Sequence, residues 1–219
     1  MISSYKTIYL GGTGEIEVKK SRFIADTAHV ETEEEVDSFL EIIRKRYYDA
    51  RHHCYAYVIG ADGKQKRCSD DGEPSQTAGK PMLEMVTGAG LTDSIVVVTR
   101  YFGGTLLGTG GLVRAYGAAA KEGIARSTVI EKQLAARLMI TVDYGSVGKL
   151  LYIIGQKGYA QLESDYGADV TLTVLIPFEE EDAFKKELTD AFRGNLIIEE
   201  GKRVYFAVID KKPVLFEQI

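Results

Sequence analysis

The feature that most constrains the fold is the succession of a strand, a glycine cluster and a helix with a small-residue interior. Ser94 to Thr99 is a continuous run rich in β-branched residues, which indicates a central strand of a sheet. A helix is predicted from about Leu112 to Arg126, and its interior is made of alanine and glycine, so it can lie very close to the sheet. The glycines between the two elements are Gly103, Gly104, Gly108, Gly110 and Gly111.

The composition is that of an ordinary globular chain, with 45% hydrophobic and 27% charged residues among 219. The longest aliphatic stretch, Ile95 to Val98, is far shorter than the roughly 20 residues that span a bilayer. Residues 1–10 show no basic segment followed by an apolar run, so no secretory signal is indicated. We therefore expect a cytoplasmic protein with no membrane partner. Cys54 and Cys68 are too few for a disulfide framework, and free thiols are expected.

The charge balance limits the kind of partner. A net charge of −5 argues against broad, non-specific nucleic-acid binding, which depends on Lys and Arg neutralising phosphates. The imbalance is uneven: residues 1–130 carry 16 basic against 17 acidic side chains, whereas residues 131–219 carry 11 against 15. A local anion site is therefore expected in the first part of the chain.

The first part reads as a sheet with helices. The Thr32 hydroxyl and Glu35 form a capping box, and a stripe from Val36 to Tyr47 predicts an amphipathic cover helix. The other predicted elements are strands at 16–19 and 23–30, a hairpin of 54–59 with 64–69, and a helix at about 81–87.

From Ala136 onward the pattern changes to strand, helix, two strands, helix and strand, which is typical of a ferredoxin-like module. The polar residues Glu131, Lys132 and Gln133 indicate a short connection. The predicted fold class is α+β, with two two-layer domains at residues 1–133 and 134–219.

The glycine cluster between a strand and a helix is a geometry that points backbone N–H groups at an anion. Arg100 and Arg114 flank it, and each has a guanidinium that could fork onto a phosphate or carboxylate. Thr109-Gly110 stands where a Walker-type loop needs Lys-Ser/Thr, and Val113 replaces the third glycine of a dinucleotide fingerprint. The alternative is that the glycines only make a tight turn and close packing. In either case Gly104 and Gly110 are expected to need a positive φ or a close backbone approach.

Acidic and histidine residues form the other candidate cluster. Asp70, Asp71 and Glu73 could supply a general base or metal ligands, although carboxylates in turns are usually solvated. His53 could pair with Asp70 or Asp71, and a hydrogen-bonded structural histidine is the plainer reading. The chain contains the cysteine and histidine residues that a cysteine–histidine catalytic site needs, but no spacing between them defines such a site. We expect no metal and no cofactor.

Two long motifs and one short one resemble a known family. RYFGGTLLGTGGLVRAY at 100–116, SDDGEPSQTAGKP at 69–81 and SRF at 21–23 are similar to the IMPACT family in its bacterial YigZ/YvyE-type branch. The resemblance implies an N-terminal domain like the second domain of the fifth small-subunit ribosomal protein, a two-layer α/β sandwich. It also implies a C-terminal domain like the ferredoxin-like last domain of translocating elongation factors. The residues it marks as a motif surface are Arg22, His53, Ser69, Asp70, Asp71, Glu73, Pro74, Thr77, Gly79, Arg100, Tyr101, Gly103, Gly104, Gly108, Gly110, Gly111, Arg114 and Tyr116.

The resemblance implies a role in translation, because eukaryotic members regulate it through protein–protein contacts in the pathway that activates a stress kinase. That pathway is missing in bacteria. The main hypothesis is a non-catalytic protein that binds RNA, the ribosome or a translation factor through the motif surface. The alternative is a hydrolase that holds a phosphate- or carboxylate-bearing substrate with Arg100, Arg114 and the N–H groups of the glycine cluster. In that case Asp71 or Glu73 would act as base, aided by His53. A deep pocket where these side chains converge favours the enzyme, and an exposed face favours the binding protein.

Overall fold

The computed structural model describes residues 2–216, which form two compact units. The first unit is Tyr5–Glu131, and the second runs from Lys132 onward and includes the residues up to Ser4. The helices and strands of the first part are β1 (Ser4–Leu10), β2 (Thr13–Val18), β3 (Ser21–His29), α1 (Glu33–Arg46), β4 (His52–Ile59), β5 (Gln65–Ser69), α2 (Gly79–Gly88), β6 (Ser94–Tyr101) and α3 (Thr109–Ala125).

The second part of the chain begins with one long strand. Its elements are β7 (Thr128–Val142), α4 (Val147–Lys157), β8 (Ala160–Tyr166), β9 (Val170–Pro177), a 3₁₀ turn (Phe178–Glu180), α5 (Glu181–Phe192), β10 (Ile197–Glu200), β11 (Val204–Ile209) and β12 (Lys212–Phe216). No helix within residues 2–216 is long and apolar enough to cross a bilayer.

The first unit is built on an antiparallel sheet in the order β2-β3-β6-β4-β5. The prediction that Ser94 begins a central strand is confirmed, because β6 lies in the middle. Alternate residues of β6 enter different cores. Val96 and Val98 pack in the core that also holds Met82 and Tyr116 of α2 and α3.

The opposite face of the same sheet is also covered. Ile95 and Val97 pack in a separate core with Leu40 and Ile43 of α1. The expected two-layer arrangement of this domain is therefore wrong, and the unit has three layers. The reason is that Ile95 to Val98 of β6 are all apolar, so each face of the strand needs a helix to bury it.

Helix α3 lies close to the sheet, as its small residues predict. A Cβ on Gly123 would lie 2.8 Å from the Cβ of Ala25 in β3, and Ala115, Ala119 and Ala120 are buried. The helix begins at Thr109, three residues earlier than expected from the sequence.

The second unit has the element order βαββαβ from β7 to β10, with β10 and β9 on either side of β7 and β8 beyond β9. Leu150 of α4 and Phe184 of α5 pack in one core with Leu138 and Ile140, so both helices cover the same face. Strands β11 and β12 extend the sheet next to β7.

The polar connection expected at residues 131–133 is absent from the described chain, because β7 runs through it without interruption. Lys132 is buried, and Gln133 pairs with Phe206 of β11. A strand alternates its side chains between two faces, so a short polar run does not interrupt it.

We predict that a fragment of residues 5–131 folds without the second unit, since its cores are formed by its own residues. Circular dichroism and urea unfolding of the fragment should show a folded α/β spectrum and one cooperative transition. A fragment that is molten, with no cooperative transition, would contradict independent folding.

Candidate functional site

Three of the motif residues, Glu73, Arg100 and Tyr116, form a buried polar cluster. The Arg100 Nη1 donates to Glu73 Oε1 over 2.6 Å, and the Tyr116 hydroxyl donates to the same oxygen over 2.8 Å. The side chains of Arg100 and Glu73 are 9% and 4% exposed, and Tyr116 is fully buried. The ring of Tyr116 also meets Phe23 edge to face at 5.2 Å between centroids. One carboxylate thus joins β6, α3 and the segment that follows β5.

Asp70 organises the start of α2. Its carboxylate accepts hydrogen bonds from the backbone N–H groups of Gln76, Ala78 and Gly79 at 2.7, 2.9 and 2.8 Å. Burial raises the pKa of this carboxyl, but the backbone donors, led by Gly79 and Ala78, outweigh burial and hold the pKa below its usual value. The solvated carboxylate favoured by the turn-rich sequence is therefore the wrong description for Asp70.

Asp71 also has a structural contact. Its Oδ2 accepts from the backbone N–H of His53 over 2.6 Å, and its carbonyl accepts from His52 Nδ1 over 2.8 Å. His53 is buried, and its Nε2 donates to the carbonyl of Tyr47 over 3.1 Å. The His53 Nδ1 lies 3.9 Å from Asp71 Oδ2, which is too long for a hydrogen bond. The described geometry therefore does not give His53 and Asp71 the direct contact of an acid–base pair.

Glycine is required for different reasons in the loop at 102–108 and at Gly111 in the first turn of α3. Gly104 and Gly108 have φ values of +84° and +70°, which favour glycine. A Cβ on Gly103 would overlap the backbone carbonyl of Lys20. A Cβ on Gly111 would lie 3.0 Å from the Cβ of Leu107.

The expectation for Gly110 is wrong. It lies in the first turn of α3 with no positive φ, and the nearest atom to a Cβ there would be Arg114 Nη1 at 4.0 Å. The helix begins before Gly110, so this residue has ordinary helical geometry.

Arg114 lies in the second turn of α3 rather than the first, because the helix starts at Thr109. Its side chain is exposed and folds back over Gly110. No side chain caps the N-terminus of this helix. Within residues 2–216 Arg114 has no hydrogen bond or ion pair. Arg114 and the bare helix start are therefore available to an external group.

Arg22 and Tyr101 are cross-strand partners and lie near the same edge. Arg22 is bidentate to Glu15, with distances of 2.6 and 2.8 Å, and its guanidinium lies 5.9 Å from the ring centroid of Tyr101. The Tyr101 hydroxyl donates to Asp49 over 2.7 Å. Burial and the Asp49 carboxylate raise the pKa of Tyr101 to about 12. Both side chains are thus engaged within the unit.

A pocket of about 510 Å³ lies beside Arg100. The sequence pattern does not mark Asp49, Phe102 or Leu106 as site residues, although the last two lie within the glycine-rich motif. Of the predicted site residues, Arg100 and Tyr101 reach it; Asp71, Glu73 and Arg114 are not among its lining residues. The lining residues are Asp49, Ala50, Arg51, His52, Arg100, Tyr101, Phe102 and Leu106.

Residues 2–216 contain no group of three or more His, Cys, Asp or Glu side chains placed to hold a metal ion.

Cys54 is held as a thiol. It is buried, and its Sγ donates to the carbonyl of Asp70 over 3.0 Å. Burial raises its pKa to about 12, reinforced by nearby carboxylates that include Glu73 and Asp71. A thiolate nucleophile at Cys54 is therefore strongly disfavoured near neutral pH.

We predict that iodoacetamide at pH 8 modifies Cys68, which is exposed, and leaves Cys54 unmodified in the native protein. Peptide mass spectrometry should detect one alkylated site, and denaturation in urea should yield two. Alkylation of native Cys54 at a rate equal to that of Cys68 would contradict the buried thiol.

Comparison with known proteins shows which family the chain belongs to. The Impact N-terminal domain matches residues 19–124, and a domain of unknown function, DUF1949, matches residues 140–195. The chain is 39% identical to the IMPACT family member YvyE of Bacillus subtilis over 94% of each chain. It is 42% identical to the IMPACT family member YigZ of Escherichia coli over 82% of this chain and 89% of that one.

A solved structure described as the crystal structure of an hypothetical protein is 39% identical, with a TM-score of 0.60. The match covers 90% of this chain and 97% of the other. The chain belongs to the IMPACT family, which confirms the resemblance read from the motifs. It is a mixed α/β protein with two domains and antiparallel sheets.

Proposed function

We propose that this protein is a non-catalytic, translation-associated binding protein that contacts RNA, free or within the ribosome, through a basic face. The basic face is defined by Lys19, Lys20, Arg114 and the N-terminus of α3. The observation that carries the proposal is that the two arginines flanking the glycine cluster have opposite environments. Arg100 is buried against Glu73, whereas Arg114 is exposed, unpaired within the described residues and placed over an uncapped helix start.

The chemistry of the basic face suits a phosphate. The first N–H groups of a helix and its dipole favour negative charge, and a guanidinium adds parallel donors to the same ligand. Lys19 and Lys20 are exposed in a turn, and the Lys20 backbone lies against Gly103 at one end of the glycine loop. Arg114 folds back at the other end. The loop therefore has cations at both ends, despite a net charge of −5 for the chain.

The engaged carboxylates argue against the hydrolase alternative. Asp70 and Asp71 accept from backbone donors, and Glu73 accepts from two side chains. A general base has to reach a bound water or substrate, and neither Asp71 nor Glu73 is among the residues that line the pocket beside Arg100. This favours binding over catalysis, and translation is the setting that the resemblance to the IMPACT family implies.

We also infer the finer folds. A ferredoxin-like second unit is supported by the strand order β10-β7-β9-β8 with two helices on one face. For the first unit, the ribosomal-protein-like comparison has one supporting feature, the packing of α2 and α3 on a single face of the sheet. These folds occur in translation proteins, which is support by analogy. A cytoplasmic location follows from the proposed partners.

We predict that Arg114→Ala weakens RNA binding about equally for all sequences and lowers the salt slope by roughly one unit, because one phosphate contact is lost. Wild type and variant should be titrated with single-stranded RNA and with ribosomes at several salt concentrations. A protein ligand would instead give a shallow salt response.

The matched control is Arg126→Ala, at the other end of the same helix and paired with Glu122. It should bind RNA as wild type does, and circular dichroism should show all three proteins folded. Identical titration curves for wild type and Arg114→Ala would remove the basic face from the account.

A further inference from the structure

We propose that the pocket beside Arg100 binds a small organic anion, a carboxylate or phosphate monoester carried on a flat apolar body. This ligand is distinct from the RNA of the proposed function and does not depend on it. The pocket is formed by the end of β6, the glycine loop and the segment between α1 and β4. Its volume of about 510 Å³ lies within the range of sites that enclose small molecules.

One of the lining residues, Arg100, is a buried cation. Arg100 lines the pocket, its side chain is 9% exposed, and its Nη1 is bonded to Glu73. The Nε of Arg100 is buried and has no acceptor within residues 2–216. A buried donor without a partner is unfavourable. Because Arg100 lines the pocket, a carboxylate or phosphate there would be attracted by the charge of its guanidinium. Because Glu73 already fixes the guanidinium, little order has to be gained on binding.

Three charged side chains line the pocket, those of Arg100, Arg51 and Asp49. Glu73 balances the charge of Arg100, whereas the Asp49 carboxylate accepts a hydrogen bond from a neutral group, the Tyr101 hydroxyl. Arg51 also lines the pocket, is exposed, and forms no ion pair within the described residues. An anion that accepts from Arg100 would therefore also be attracted by Arg51.

The apolar part of the ligand is indicated by the other lining residues. Phe102 is 58% exposed and Leu106 is 83% exposed, although both are large apolar side chains that line the same pocket. The guanidinium of Arg100 lies 5.7 Å from the ring centroid of Phe102, so the ring already borders the cation. A flat body stacked against Phe102 and covered by Leu106 would remove both from water while its anionic group reaches Arg100.

The test uses the full chain and two probes, 2-naphthoate and adenosine 5′-monophosphate, measured by isothermal titration calorimetry. We expect saturable binding of at least one probe with one site per chain. 2-Naphthylmethanol lacks the charge and acetate lacks the ring, so each should bind at least tenfold more weakly than 2-naphthoate if the carboxylate is accepted. Binding of adenosine 5′-monophosphate alone would assign the site to phosphate esters, with adenosine and inorganic phosphate as the matched controls.

Variants at exposed positions avoid disturbing the Arg100–Glu73 pair. Phe102→Ala and Arg51→Ala should each weaken probe binding at least fivefold, whereas Tyr152→Ala, an exposed aromatic on α4, should not change it. Arg114→Ala should keep probe binding, which separates this site from the basic face. The proposal is overturned if neither probe saturates, if the uncharged analogues bind equally well, or if both pocket variants bind like wild type.

Discussion

The contact on which the rest of the site depends is the carboxylate of Glu73, which holds Arg100 and Tyr116 at one oxygen. Three elements that are distant in sequence meet there: β6, α3 and the segment after β5. A buried ion pair is costly to form unless both charges are well hydrogen-bonded, and removing one partner leaves an uncompensated charge. Because Arg100 of β6 and Tyr116 of α3 both bind the Glu73 carboxylate, this one group fixes the arrangement of all three elements.

That arrangement divides the motif into an inner and an outer part. Asp70, Asp71 and Glu73 face backbone or side-chain donors and set the path of the loop that leads into α2. On the outside, Arg114 lies near the N-terminus of α3, which no side chain caps, and Phe102 of the glycine loop lines a pocket. The long motifs of this chain thus combine residues that shape the surface with residues that are free to meet a ligand.

The sequence predicted most elements because their patterns are local. The β-branched run of β6 and the alanines of α3 specify a central strand and a tightly packed helix. Strand β1 was missed, since Ser4–Leu10 alternates weakly and its burial depends on distant partners. The layer on the second face of β6 and the continuity of β7 also depend on tertiary packing.

The site was harder to predict for the same reason. Arg100 and Arg114 look alike in sequence, and only the approach of Glu73, 27 residues away in the chain, buries one of them. Gly104 and Gly110 likewise differ only in the backbone that surrounds them.

The most direct test of the role of Glu73 is native-state hydrogen exchange of the β6 amides in wild type, Glu73→Leu and Glu73→Leu/Arg100→Met. The account predicts that Glu73→Leu lowers the free energy of opening by about 3–5 kcal/mol and that adding Arg100→Met restores part of the loss. A change within about 0.5 kcal/mol for Glu73→Leu, the size typical of a surface substitution, would contradict it.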